Sequence, residues 1–415
     1  MKPGFDFSLD FKNYITSLLS DLINIPTINP PGENYEECTN YLADKLSGLG
    51  LDVRIIEIPE KYLDKHYPYS PKHRGYPRYI VLAKMGRGKP VLHFNGHYDV
   101  VPPGIGWNRD PFTPIIEGDK IYGRGSTDMK GGIASILGAI KWIIEEGVKI
   151  KGTLEVAFVP DEEAGGIGTR YLIEEKYAKA KYVVIGEPTT LERIIIGHKG
   201  LVRGIVRVIG KQVHGSTPWH GENAFLKAAL LVLKFMELYD PLLKSRKTKY
   251  PVREPEGAYP TINLGGFAES LSKKDNIVPG EFVFSFDRRV IPEEDINEVI
   301  EELKSYFNKA SKATNVKHEI KITSAIPPST TPMESLIVAI AKNCLKKCLN
   351  ITPKIEISFG RNDAVYYTNI LQSQVICLGP GVENVAHAPN EYNEISQIIK
   401  ITKVYRCIIE EILGK

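Results

Sequence analysis

Five short segments carry imidazole and carboxylate groups that a folded chain can gather at one place. They are His97-Tyr98-Asp99, Asp128 in Gly-Arg-Gly-Ser-Thr-Asp-Met-Lys-Gly-Gly, the pair Glu162-Glu163, Glu187 in Gly-Glu-Pro-Thr, and His387 in Ala-His-Ala-Pro-Asn-Glu. Each sits just beyond an apolar run that reads as a strand. Together they offer enough nitrogen and oxygen donors for two divalent cations, with one carboxylate left to carry a proton. That inventory points to metal-dependent hydrolysis.

Taken singly, each segment has a plainer reading. His97 and Asp99 are i and i+2 on a strand and face the same way. Asp99 can then accept the second ring N–H of His97, as metal-bound imidazoles require. Alone, a histidine beside a turn aspartate is the commoner explanation. Asp128 either caps the helix that follows or lends its two oxygens to two cations. Asp161-Glu162-Glu163 places three carboxylates in a row, which repel unless a cation or solvent relieves them. An acidic run is usually a solvated loop, but this one follows a buried strand and precedes Gly165-Gly166. Two adjacent glutamates suggest divided labour, one binding metal and one moving protons. Glu187 precedes Pro188, which fixes the turn. His387, one of nine histidines, lies in a Gly- and Pro-punctuated stretch. Their joint occurrence after successive apolar strands outweighs the separate turn and cap readings.

The elements that must position these groups read as a layered α/β fold. Apolar spacing predicts helices near 10–24, 34–48 and 130–146, with strands at 53–58, 79–84, 90–95, 153–159 and 181–186. Fully apolar strands alternating with helices indicate a sheet covered on both faces. Residues 61–78, rich in Tyr, Pro and Lys without period, read as a solvated surface loop rather than a nucleic-acid contact. After about 197 the style changes. A strand at 201–210, a helix at 222–238, strands at 261–268 and 280–290, a helix at 293–310 and a strand at 316–323 give the ferredoxin-like order β-α-β-β-α-β. From about 325 the first style returns, with helices at 332–349 and 393–413 and strands near 355–358 and 374–378. The expected fold is therefore α/β, a mixed and largely parallel sheet sandwiched by helices, interrupted by an inserted α+β lid. The expected domains are 1–197 and 325–415 for the first, and 198–324 for the insertion.

Bulk properties exclude several classes. A chain of 415 residues exceeds one growing core, so about two domains are expected. A hydrophobic share of 42% suits globular cores. A net charge of +3 gives no reason to expect nucleic acid or an anionic membrane. Met1–Phe7 lacks a leader-like apolar core, and no segment approaches the about 20 apolar residues of a span. The expected location is cytoplasmic. Five cysteines form no disulfide framework. Cys344 and Cys348, four apart on a helix, read as a structural thiol pair or core residues rather than a metal clip.

The motifs and their order resemble the M20 family of co-catalytic zinc amidohydrolases and metallopeptidases over nearly the whole chain. The resemblance implies that His97 and Glu187 hold one zinc, Glu163 and His387 the other, and that Asp128 bridges them. It further implies that Asp99 orients His97, that Glu162 is the general base, and that the Asp128–Met129 peptide is cis. In Gly210-Lys211-Gln212-Val213-His214-Gly215-Ser216, His214 matches the lid histidine that stabilises the oxyanion, commonly across a dimer interface. Asn276 and Arg289 match the lid's substrate-carboxylate positions. Arg361, in Gly360-Arg361-Asn362-Asp363, departs from the Gly-Gly-Thr-Asp of many relatives and leaves the acyl preference open.

The resemblance implies cleavage of an N-acyl amino acid by a homodimer with two divalent ions per subunit, Zn2+ foremost and Co2+ or Mn2+ as alternatives. Glutamate rather than aspartate at 187 resembles the acylase, deacylase and carboxypeptidase branches more than the aminopeptidase and dipeptidase branches, and within the former the succinyl-diaminopimelate desuccinylase and acetylornithine deacetylase group is expected. A broad metallocarboxypeptidase or aminoacylase is the runner-up. A non-catalytic metal-binding scaffold, from another class, would have lost a ligand or the base, and none is lost here.

Overall fold

Branched apolar runs set the strands, and where the runs lack polar alternation the strands lie buried on both faces. The computed structural model describes residues 9–414. Met1–Phe7, read above for a leader, lies outside them. In chain order come α1 (Leu9–Asn24), α2 (Tyr35–Gly48), β1 (Asp52–Ile58), α3 (Glu60–His66), β2 (Arg78–Arg87), β3 (Val91–His97), α4 (Gly131–Glu145), β4 (Gly152–Val159), α5 (Ile167–Glu174), β5 (Tyr182–Ile185) and β6 (Arg193–His198). Next are β7 (Gly200–Ile209), α6 (Ala224–Ser245), β8 (Thr261–Ser270), β9 (Glu281–Val290), α7 (Ile296–Thr314) and β10 (Lys317–Ile326). The chain closes with α8 (Leu336–Leu349), β11 (Lys354–Ser358), α9 (Ala364–Leu371), β12 (Gln374–Cys377) and α10 (Ile395–Leu413).

Two compact units result. One holds the chain up to Gly197 with Thr331–Glu356 and Asn362 onward; the other holds His198–Thr330 with Ile357–Arg361. In the first unit the strands run β1-β2-β4-β3-β5-β12-β6, with β11 beside β6. The inner four, β4, β3, β5 and β12, are mutually parallel, and the pairings β1–β2, β2–β4 and β12–β6 are antiparallel. One face packs Leu63 of α3, Ile167 and Leu172 of α5 and Tyr367 of α9 against Ile80, Val159, Val183 and Val375. On α4, almost every side chain from Ile133 to Ile143 is buried. The helix is wedged between α1 and α10, and a helix apolar all round belongs in a core. The fold class read from sequence is the one observed.

The second unit is a four-stranded antiparallel sheet in the order β8-β9-β7-β10 with α6 and α7 against it. Its core joins Val206, Phe284 and Phe286 to Phe235 and Phe307, whose rings stack at 3.9 Å. α6 continues past the expected 238 to Ser245, through Pro241.

Two expectations fail. The segment 61–78 is not a solvated loop: it carries most of α3, and it buries Tyr67, His73 and Arg78. Apart from Leu63, its buried side chains are amphipathic or charged, so they leave no apolar period. Cys344 does not pair with Cys348. It forms a disulfide with Cys407, joining α8 to α10 across a Cα–Cα distance of 5.7 Å, an ordinary span for such a bond. Cys38, Cys348 and Cys377 are free.

Candidate metal centre and active site

The parallel strands deliver their C-terminal ends to one edge, where open α/β sheets place ligands. β3 ends in His97, β4 runs into Asp161-Glu162-Glu163, and β5 runs into Glu187. Asp128 sits just before α4, whose first turn presses on the end of β5. A Cβ on Gly132 would lie 2.1 Å from the Gly186 carbonyl oxygen, so only glycine permits that approach. The Asp128–Met129 peptide is cis.

Asp128 divides its carboxylate between two imidazoles. Oδ1 lies 3.1 Å from His97 Nε2 and Oδ2 lies 3.3 Å from His387 Nε2. Each imidazole faces a second carboxylate: Glu187 Oε1 is 3.7 Å from His97 Nε2, and Glu163 Oε1 is 2.8 Å from His387 Nε2. Zn–N and Zn–O bonds of about 2.0–2.1 Å put tetrahedral donors roughly 3.3 Å apart, so these spacings fit a cation on each side of Asp128. Ligand atoms of His97, Asp128 and Glu163, and likewise of His97, Glu162 and Glu187, lie within 4.8 Å of one another.

The electrostatics also call for cations. Burial, with the Asp128 charge beside it, lifts Glu187 to about 8, as desolvation and a like charge both disfavour ionisation. Burial raises Glu163 as well. Hydrogen bonds to Asp128 and Glu163 lift His387 to about 11. Burial opposes ionisation of Asp128, but its bonds to His387 and His97 outweigh it and hold the group below the usual carboxylate range.

Asp99 lies under the centre. His97 Nδ1 is 3.0 Å from its carbonyl oxygen and 3.5 Å from its Oδ1. Its carboxylate accepts the backbone N–H groups of Glu162 at 3.1 Å and Glu163 at 3.2 Å. One aspartate therefore serves His97 and the Glu162-Glu163 corner together.

The other read residues lie on the second unit. His214 pairs with Ile277 in a two-residue ladder, and Gly215 N–H donates to the Asn276 carbonyl at 2.7 Å. The Ser216 N–H donates to His214 Nδ1 at 3.2 Å, so the proton of the neutral ring belongs on Nε2. Arg289 is ion-paired with Asp287 at 2.7 Å, and the two border an open hollow of about 270 Å³ with Thr261 and Asn263. Arg361 closes the short 357–361 segment of that unit.

Motif reading passes over the residues that hold the ligand loops. Glu391, which enters the sequence only as the end of the His387 motif, is buried. It accepts N–H groups from Gly125, Thr127 and Asp128 at 3.1, 2.9 and 3.1 Å, and Arg124 Nη1 at 2.6 Å. Arg124 Nη2 in turn donates to the His387 carbonyl at 3.2 Å. This buried pair ties the loop of Asp128 to the loop of His387.

The profile of Peptidase family M20/M25/M40 matches residues 93–411, which takes in all seven residues at this centre. The chain belongs to the M20 family. Among its M20 relatives, a succinyl-diaminopimelate desuccinylase of Nautilia profundicola is 30% identical over 86% of this chain and 93% of its own. An acetylornithine deacetylase of Salmonella heidelberg is 30% identical over 92% and 93%. The fold is that of an M20 metallo-carboxypeptidase from Sulfolobus solfataricus, with TM-score 0.75 at 23% identity over 95% of this chain and 98% of that one. As an M20 member the protein is a metal-dependent hydrolase of amide bonds.

Proposed function

We propose that the protein removes the acyl group from an N-acyl amino acid, in the manner of succinyl-diaminopimelate desuccinylase or acetylornithine deacetylase. The observation that carries this reading is Asp128 facing two imidazoles, each backed by its own glutamate. His97 and Glu187 would hold one cation, Glu163 and His387 the other, and Asp128 both. Zinc suits this nitrogen and oxygen donor set, as do cobalt and manganese. When bound, such a pair polarises the amide carbonyl and acidifies water.

The chain's own groups do the rest. Glu162 takes a proton from the attacking water and returns it to the departing amine. Asp99 fixes the peptide from which Glu162 projects. His214, its donor on Nε2, is assigned to the oxyanion, and Asn276, Arg289 and Arg361 to the substrate's anionic groups, a planar guanidinium matching a carboxylate. The unit of Asp128 is the catalytic domain and the inserted unit the lid, through which two copies pair. Support for pairing comes from α6, where Leu226, Leu230 and Leu233 are 58%, 55% and 70% exposed. At helical spacing they form one apolar stripe, and such stripes mark interaction sites.

The test is a substrate panel with added Zn2+ or Co2+: N-succinyl-diaminopimelate, N-acetylornithine, neutral N-acyl amino acids and blocked peptides. Preference for either of the first two supports the reading. Preference for neutral N-acyl amino acids would make it an aminoacylase, and release of C-terminal residues a carboxypeptidase.

A further inference from the structure

The corner that carries Glu162 is anchored from behind as well as from Asp99. Asp161 is fully buried and adopts a φ of 62°. That is a left-handed conformation, which a non-glycine residue keeps only when its surroundings impose it. Three donors converge on its carboxylate: Asn29 Nδ2 and Tyr35 Oη on Oδ1, each at 3.0 Å, and Arg78 Nε on Oδ2 at 3.0 Å. Asn29 Nδ2 also reaches Asp99 Oδ2 at 3.0 Å, and Tyr67 Oη donates to Asn29 Oδ1 at 2.6 Å. One amide thus joins the two aspartates that flank the Glu162 peptide.

Arg78 is the keystone of this cluster. It is fully buried, and besides Asp161 it donates to the carbonyl oxygens of Tyr76 and Pro31. Its guanidinium carbon lies 4.8 Å from the Tyr67 ring and 5.2 Å from the Tyr35 ring. Gly32 makes room for it, since a Cβ there would sit 2.7 Å from that carbon. Three acceptors in different directions suit a rigid planar fork and not an ammonium. The Asn29-Pro30-Pro31-Gly32 break and the Tyr- and Pro-rich segment before β2 therefore meet at one carboxylate.

We propose that Arg78, acting through Asp161 and Asn29, is a positioning residue that sets the proton-transfer geometry of Glu162 without touching substrate. The proposal rests on the function proposed above for its kinetic consequence. A small displacement of a positioned group costs on the order of 100-fold in rate, and loss of an outer partner about 10- to 100-fold.

The decisive variant is Arg78→Lys, which keeps the buried charge and so favours folding. On whichever panel substrate the wild type turns over, kcat falls about 10- to 100-fold with KM within about twofold and metal content unchanged. Hydrogen exchange at the Glu162 and Glu163 amides becomes faster, with and without Zn2+. Unchanged kcat in Arg78→Lys overturns the proposal, as does a rise in KM alone or a parallel loss of metal. If the wild type hydrolyses nothing on the panel, the functional reading fails, and the exchange arm still decides: unaltered protection at 162–163 would refute the clamp.

Discussion

Asp128 shares its two oxygens between His97 and His387, and in the metal-free protein those imidazoles and Glu187 carry protons that a cation must displace. His387 at about 11 and Glu187 at about 8 are both protonated at pH 7. Metal uptake should therefore release protons, and affinity should rise with pH as Glu187 ionises through about 8. Calorimetry of Zn2+ binding in buffers of different ionisation enthalpy reads this directly, and enthalpies independent of buffer would contradict it. The sign for the metal-free fold is opposite. A histidine raised from 6.5 to about 11 adds stability that is complete below the lower value and gone above the higher. Glu162 is expected to behave differently from the ligands. Glu162→Gln should lower kcat by about 100- to 10,000-fold, the usual worth of a general base, while metal content by elemental analysis stays at the wild-type level.

Among the elements, the disulfide between α8 and α10 has the clearest energetic consequence. Its cysteines are 63 residues apart in sequence. For a loop of that size the chain-entropy relation gives about 4 kcal/mol. Cys407→Ser should lower the unfolding free energy by that order, measured in guanidinium. Denatured, unreduced protein should take up alkylating label at three thiols, and reduced protein at five. Label at all five without reductant would remove the bond. Nothing local in the sequence marks this pairing, because each cysteine reads as a small core residue on its own helix. Central strands were legible for the opposite reason: Val91–Asn95 and Thr153–Val159 are dominated by buried apolar residues, with His93, Asn95 and Glu155 the buried polar exceptions. The candidate ligands His97, Glu163 and Glu187 were read with them, as residues just past strand ends. α5 and α9, of eight residues each, are too short to establish a period. Arg78, Asn29 and Glu391 do not stand out because a satisfied buried polar group looks, in sequence, like a surface one.

For the molecule as a whole, the candidate ligands belong to the first unit, and His214, Asn276, Arg289 and Arg361 to the second. The order of elements in the second unit was readable from periodicity; in the first, α3, α5, α9 and β6 were not, nor was the burial in the segment before β2. The proposed pairing through α6 has a direct check. Light scattering should give twice the chain mass for the wild type and the single-chain mass for Leu230→Glu with Leu233→Glu. A wild-type monomer would dismiss it.

The position of β12 bears on how the chain is born. β5 and β6 are neighbours in sequence, yet β12, made only after the whole insertion, lies between them, pairing Val375 with Val183 and Cys377 with both Ile185 and Ile195. A sheet formed before β12 is made would leave the facing edges of β5 and β6 unpaired, a template for an extended peptide. His387 and Glu391 emerge later still. Premature termination between the insertion and β12 would leave a chain with most of its mass, an open sheet and neither His387 nor Glu391.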